Sequence, residues 1–398
     1  MRPARRLAGI QPTVFSSFTA LAQKSQAVNL GQGFPDFDGP DQIKEAAIEA
    51  IRGGVNQYAA GPGSPELRRA IADHAARFYR QAVDPDTMVT VTSGATEALF
   101  DALLAFLEPG DEVVVFEPFY DSYMAGFALT GATARPVLLR QPDAQHSSFW
   151  FEPDELRAAF NSNTKLVLLN TPHNPTGKVF TESELEQIAA LCQEHDVLAL
   201  VDEVYEHLAY MPARHIRLAT LPGMEPRTLT VSSGGKTFSL TGWKIGWAIG
   251  PAALRAAVQS VHQFVTFASA APLQRASARA LALPDSFYSN LIADYAARRD
   301  RLAASLLAAG LPTLACEGAY FLLADISRAR DSNGAAFADD FAFCRFLTEQ
   351  IGVAAIPPSA FYTEANAPQG KRLARFAFCK RDQTLAEAAL RLTRLRVD

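Results

Sequence analysis

LVLLNTPHNPTGKVFTESELEQIAALCQEHDVLALVDE, residues 166–203, is the stretch whose reading decides the fold. It opens with four consecutive apolar residues, the composition of a strand covered on both faces rather than one with a solvent side. A proline-rich polar segment follows, then SELEQIAALCQEH (183–195) with apolar residues at helical spacing, then a second apolar run, VLALVDE (197–203). Strand, helix and strand at this spacing form a β-α-β unit, which brings its two strands parallel.

The same alternation extends outward. MVTVT (88–92) precedes ATEALFDALLAFL (95–107), EVVVF (112–116) precedes a helical segment from Tyr120 to Leu129, and TLTVSS (228–233) follows the opening unit. Residues from about 88 to 250 therefore predict a large α/β domain around a mainly parallel sheet. Residues 251–310 read as Ala-rich helix, with Tyr288 to Leu307 as the expected connector between lobes. Beyond about residue 312, AYFLLADIS, DDFAFCRFLTEQIG, the loop VAAIPPSAFY, the strand RLARFAFCK and a final helix predict a smaller α+β lobe.

Composition bounds the function. A chain of 398 residues with 48% hydrophobic and 20% charged residues is long enough for two lobes and a deep site. Its net charge of −5 offers no basic excess for nucleic acid. No run of about 18 apolar residues occurs, and the N-terminal MRPARRLAGIQPTVFSSF lacks a secretory apolar core, so no membrane partner and a cytoplasmic location are expected. Cys192, Cys316, Cys344 and Cys379 are scattered, with no CxxC pair and no His at metal-ligand spacing. They read as reduced, mostly buried thiols, and no metal is expected.

In an open parallel sheet, ligands bind beyond the carboxyl ends of the strands. Those positions hold Ser93-Gly94-Ala95-Thr96 at a helix start suited to phosphate, then Phe119 and Tyr120, Asn170 and Asn174, Asp202 and Tyr205, and finally Ser233, Lys236 and Lys244. The chain has eight lysines against twenty-nine arginines, so a lysine inside SSGGKTF calls for a reason. A partly desolvated lysine loses preference for its ammonium form and becomes a Schiff-base former. The GKT triplet does not complete a nucleotide-binding P-loop, because Thr230 stands where the first glycine belongs. Neither Gly31-Gln32-Gly33 nor Gly61-Pro62-Gly63 continues into GxGxxG. Taken singly, Asp202 reads as an ordinary strand-end acid, Arg375 as half of a salt bridge, Lys244 as a cation stacked on Trp243 or Trp247, and Phe15 and Phe267 as core.

Together, NTPHNPTGKV, DEVYEH and SSGGKTFSLTGWKIGW, in that order and spacing, resemble the class I/II aminotransferases, which are fold-type I pyridoxal-phosphate enzymes. The likeness runs from NLGQGFPDFDGP (29–40) through NQYAAGPG (56–63) to RLARFAFCK (372–380). GQGFPDF, EPFYDSY, LNTPHNPTGKVF, VHQF and AAIPPSAFY resemble its kynurenine and methionine aminotransferase branch. The resemblance implies a seven-stranded, mainly parallel sheet in a large cofactor-binding domain over 40–285. It implies a small domain from 1–39 and 286–398, and a homodimer with active sites at the subunit interface.

Carried over residue by residue, the resemblance implies that Lys236 forms the Schiff base with pyridoxal 5'-phosphate and then acts as catalytic base. Asp202 faces the pyridine nitrogen, and Tyr205 and Asn174 bond the phenolic oxygen. Phe119 stacks on the ring. Gly94, Ala95, Thr96, Ser233 and Lys244 bind the phosphate, with Tyr58 reaching it from a neighbouring subunit. Arg375 grips the substrate α-carboxylate with two parallel bonds, assisted by Asn174 and the Gly33 backbone. Phe15, Tyr120, Phe267 and Tyr320 form a side-chain pocket for an apolar, thioether or aromatic amino acid. Phe15 and Thr96 stand where some kynurenine-type members carry larger aromatics, so a differently shaped pocket is expected. Two rivals stay open: a cysteine-conjugate β-lyase using the same chemistry, and a regulator with an aminotransferase-like domain. The second is disfavoured because the likeness begins within the first thirty residues and leaves no room for a DNA-binding module.

Overall fold

The computed structural model describes residues 4–7 and 12–398. Residues 1–3 and 8–11 of the expected small-domain segment lie outside them. Seven strands form the large sheet: β1 Val89–Thr92, β2 Glu112–Glu117, β3 Thr133–Leu138, β4 Thr164–Asn170, β5 Leu198–Asp202, β6 Thr228–Ser233 and β7 Gly246–Ile249. Their spatial order is β1-β7-β6-β5-β4-β2-β3. Only β7 runs antiparallel to its neighbours, β1 and β6, and every other pairing is parallel.

Burial explains the consecutive apolar runs. Val113, Val115, Leu166, Leu168 and Leu200 pack on one face against the helices Ala95–Phe106 and Ala252–Val265. Val114, Phe116, Val167, Leu169 and Val201 pack on the other, with the helix Glu182–Glu194. Alternate residues of each strand thus enter different cores, and neither face is wet. The helix Glu182–Glu194 begins at a capping box, Thr181 accepting from Glu184 N–H while the Glu184 carboxylate accepts from Thr181 N–H.

Two of the seven strands are absent from the run-by-run sequence reading. β3 is an edge strand that contains Pro136, and only Val137 along it is buried. β7 has four residues and begins at a glycine, so it carries little periodic signal.

The expected connector is a helix from Asp285 to Ala308. Beyond it, β8 (Phe321–Asp325) pairs antiparallel with β9 (Leu373–Ala377), which puts Arg375 opposite Leu323. The short N-terminal strand Val28–Asn29 pairs parallel with Val353–Ala354, and Phe18 and Leu30 share a core with Phe321, Phe343 and Phe376. The N-terminal segment therefore packs on the C-terminal lobe, and both lie over the carboxyl edge of the large sheet. No helix among the described residues is long and apolar enough to cross a membrane. Cys192, Cys344 and Cys379 are buried and Cys316 is partly buried, all four unpaired.

Candidate active site

A cavity of about 290 Å³ opens between the carboxyl ends of the large-sheet strands and the covering lobe. At one end β1 passes through Ser93 and Gly94 into the helix that starts at Ala95. Gly94 has φ +81°, a left-handed conformation that glycine adopts without strain, and it aims the free N–H groups of the first helical turn at the cavity. Gly246 of β7 packs directly beneath. A Cβ there would lie 2.4 Å from the Gly94 carbonyl carbon and 2.5 Å from the Ala95 nitrogen. Lys244 brings its Nζ to 3.1 Å from where a Gly94 Cβ would be. Helix N–H groups and an ammonium so placed make an anion cradle, with Thr96, Ser233 and Thr241 on its walls.

In the middle, Asp202 ends β5, buried at 5% exposure. Tyr123 donates its hydroxyl proton to Asp202 Oδ2 at 2.7 Å, and Val204 N–H donates to Oδ1 at 3.3 Å. Burial pushes the Asp202 carboxyl up to about 6, while the Tyr123 bond and the nearby Lys236 charge pull the other way. Lys236 sits in the short helix Gly234–Thr237 and donates to Gly33 O at 3.3 Å, between the rings of Tyr205 and Tyr320. Desolvation lowers its pKa, the direction that frees an amine to act as nucleophile and base. Asn170 fixes the loop that faces these groups: its Nδ2 donates to Asp202 O at 2.9 Å and its Oδ1 accepts Asn174 N–H at 2.7 Å.

At the other end Arg375 is 1% exposed. It donates to Asn174 Oδ1 and to Gly31 O, each at 2.9 Å, and its Nε has no partner. The rings of Phe321, Phe15 and Phe361 lie 4.1, 5.0 and 5.2 Å from the guanidinium carbon. No carboxylate among the described residues stands within salt-bridge distance. Desolvation lowers this guanidinium to about 10, so it remains charged at neutral pH. A buried cation without a counter-ion beside a cavity can receive a carboxylate.

Most of the expected residues converge: Phe15, Gly33, Gly94, Ala95, Thr96, Tyr120, Asn174, Asp202, Tyr205, Ser233, Lys236, Lys244 and Arg375 all line this cavity. Four do not. Phe119 is turned away from it, because successive residues after β2 point to opposite sides. Its ring joins the core with Leu99, Leu103 and Tyr123, leaving Tyr120 at the cavity. Tyr320 is wholly buried behind the lining and donates to Gly33 O at 2.6 Å, while its neighbour Phe321 faces the cavity. Phe267 and Tyr58 form an exposed edge-to-face pair, 5.1 Å between centroids, and do not line this chain's cavity. Tyr123, Phe321 and Gln32 are site residues that motif reading missed. Tyr123 lies one helical turn beyond Tyr120 in EPFYDSY, so helical spacing was the available signal.

Comparison with known proteins matches the class I and II aminotransferase family over residues 25–392. The chain belongs to that family. It is an aminotransferase, and its cofactor is pyridoxal phosphate. The cradle, the buried acid and the buried lysine fit that group's phosphate, ring nitrogen and carbonyl. The aminotransferase is 46% identical over 394 residues to a probable N-succinyldiaminopimelate aminotransferase of Mycobacterium tuberculosis, covering 98% of this chain and 97% of the relative. It is 40% identical to kynurenine–oxoglutarate transaminase 3 of Mus musculus, covering 97% and 88%. It is 39% identical to the methionine aminotransferase of Escherichia coli, covering 99% and 98%. A solved structure of the M. tuberculosis N-succinyldiaminopimelate aminotransferase superposes with a TM-score of 0.93, covering 98% of this chain and 99% of that one.

Proposed function

We propose that this aminotransferase takes its amino group from an L-amino acid with an uncharged thioether or aromatic side chain and passes it to a 2-oxo acid in two half-reactions. The observation that carries the reading is Arg375, a buried cation whose missing counter-ion is supplied by the substrate α-carboxylate. The only other cations on the cavity, among the described residues, are Lys236 and Lys244, and the space beside Arg375 is walled by Phe15, Tyr120 and Phe321. A distal carboxylate finds no partner there, whereas a thioether or ring finds apolar contact.

Pyridoxal phosphate, when bound, supplies an electrophilic carbonyl and a ring that accepts the electron pair left at Cα. Gly94 to Thr96, Ser233 and Lys244 hold its phosphate in this assignment, and Tyr120 takes the stacking role in place of Phe119. Lys236 would serve as the base that takes the Cα proton and holds it for return. Asp202 holds the proton at the ring nitrogen, and Asn174 Nδ2 and the Tyr205 hydroxyl donate to the phenolic oxygen. Arg375 fixes the α-carboxylate so that the Cα–H bond faces Lys236. Tyr58 and Phe264, 84% and 87% exposed, support a homodimer in which a second subunit covers them and Tyr58 reaches its phosphate site.

The decisive measurement is the rate of the first half-reaction, followed by loss of the visible cofactor absorbance. The donors are methionine, phenylalanine, kynurenine, glutamine, glutamate and N-succinyl-LL-diaminopimelate. Methionine or an aromatic amino acid is expected to react fastest. A tenfold preference for the succinylated donor or for glutamate overturns the uncharged-side-chain reading. Release of thiol, ammonia and pyruvate from a cysteine conjugate in excess of its sulfur-retaining 2-oxo acid replaces transamination with β-elimination.

A further inference from the structure

Behind the phosphate cradle lies a second convergence of side chains that transamination does not use. The helix Ala95–Phe106 carries Glu97 and Asp101 one turn apart, so both carboxylates project from the same face. His262, on the helix Ala252–Val265, meets them. Its Nε2 lies 3.1 Å from the carbonyl oxygen of Gly61, an atom that can only accept, so Nε2 carries a proton. Its Nδ1 faces Glu97 Oε1 at 2.9 Å and Asp101 Oδ2 at 3.8 Å. The side chains of His262 and Asp101 are fully buried and that of Glu97 is 7% exposed.

Three lone-pair-bearing atoms therefore point at one place, and something positive belongs between them. A proton on Nδ1 would satisfy Glu97 alone. Asp101 would remain a buried acid, because neither of its carboxylate oxygens has a hydrogen-bond partner among the described residues. A divalent cation satisfies all three and balances two carboxylates. Zinc bonded at about 2.1 Å to tetrahedrally arranged ligands sets them roughly 3.4 Å apart, between the 2.9 and 3.8 Å separations found here. The outer contacts fit as well. A ligating imidazole ordinarily donates its other N–H to a carbonyl, as His262 does to Gly61, and Glu97 Oε2 already accepts the Ser93 N–H. The comparable cluster of His74, Glu206 and His207 lacks this character, because the Arg217 guanidinium donates to Glu206 there and repels a cation.

We propose that His262 Nδ1, Glu97 Oε1 and Asp101 Oδ2 form a buried three-ligand zinc site. It links the loop that contains Tyr58 and Gly61 to the helix whose first turn makes the phosphate cradle. Sequence spacing does not reveal it, since His262 stands 165 residues from Glu97.

The test uses holoenzyme stripped with chelator and titrated with Zn²⁺ by calorimetry, wild type beside Asp101→Asn. One equivalent per chain is expected, at least tenfold weaker in the variant, with Zn²⁺ raising the thermal unfolding midpoint of wild type only. Absence of binding, or equal binding by both proteins, overturns the site and leaves a proton-filled cluster. Zinc-edge X-ray absorption on the wild-type protein gives a readout that does not need the variant to fold. A shell of oxygen and nitrogen with one imidazole is expected, and sulfur ligation or no imidazole rejects the assignment.

Discussion

Replacing Tyr123 with Phe removes one hydroxyl from the buried side of Asp202 and isolates what holds that acid ionised. The bond is 2.7 Å long and charge-assisted, a class that contributes about 1.5–3 kcal/mol. Because the neutral acid also loses a hydrogen bond of about 0.5–1.5 kcal/mol, the difference is about 1–1.5 kcal/mol, and at about 1.4 kcal/mol per pKa unit the substitution raises Asp202 by roughly one unit, from about 6 to about 7. Burial already places the folded pKa above that of an unfolded aspartate. The native cofactor-free protein therefore binds the extra proton between pH of about 4 and about 6, and its stability falls as pH rises through that window. In Tyr123→Phe the window extends upward. The substitution should cost about 1.5–3 kcal/mol at pH 8.5, where Asp202 is ionised in wild type. At pH 5, where the acid is neutral and only an ordinary hydrogen bond is lost, it should cost about 0.5–1.5 kcal/mol. Thermal or urea unfolding of the cofactor-free proteins at the two pH values measures the difference. An equal cost at both would mean that the hydroxyl merely fills space and does not hold the charge.

Arg375→Lys keeps a positive charge but loses the planar fork, and the half-reaction efficiency should fall by about 10–100-fold. Saturation kinetics with the best amino acid donor check this, and an unchanged value would remove the α-carboxylate from that position. Gly246→Ala places a methyl 2.4 Å from the Gly94 backbone, which must move. Cofactor affinity should drop at least tenfold, read from the fraction of visible absorbance retained during dialysis. Arg217→Met leaves Glu203 and Glu206, bonded to Arg217 at 2.9 and 2.8 Å, as buried carboxylates without their cation. The expected cost is about 3–5 kcal/mol, seen as a lowered unfolding midpoint.

The parallel sheet was legible because both of its faces are dry. That condition writes uninterrupted apolar runs into β2, β4 and β5 and threonine-interleaved ones into β1 and β6, and it fails at the edge strand β3 and the four-residue β7. The groups that carry the chemistry were legible because they follow those runs directly. Asp202 ends β5, and Lys236 lies three residues beyond β6. What stayed hidden depends on side-chain direction and on distance along the chain. The choice between Phe119 and Tyr120, or between Tyr320 and Phe321, turns on which of two adjacent aromatics faces the cavity, and composition is blind to that. Tyr58 and Phe267 lie on the surface of one chain. His262 meets Glu97 only after the fold has brought two helices together.

The stretch from Asp202 to His207 shows how one short segment serves two ends. Asp202 and Tyr205 face the cavity. Glu203 and Glu206 face the opposite way, where Arg217 donates to both, His215 approaches Glu203 at 3.2 Å, and Ser232 donates to Glu206. Nearby charges hold the Glu206 carboxyl well below its usual range even though burial alone would raise it. The same backbone therefore carries one acid held near its charging point, Asp202, and one held firmly ionised, Glu206. The difference lies in partners rather than residue type: Asp202 has a tyrosine hydroxyl and a backbone N–H, while Glu206 has a guanidinium. Anchoring from behind by a full ion pair leaves the strand end little freedom to move. In the role proposed for Asp202, holding a proton at a fixed ring position, the acid then does not have to supply its own rigidity.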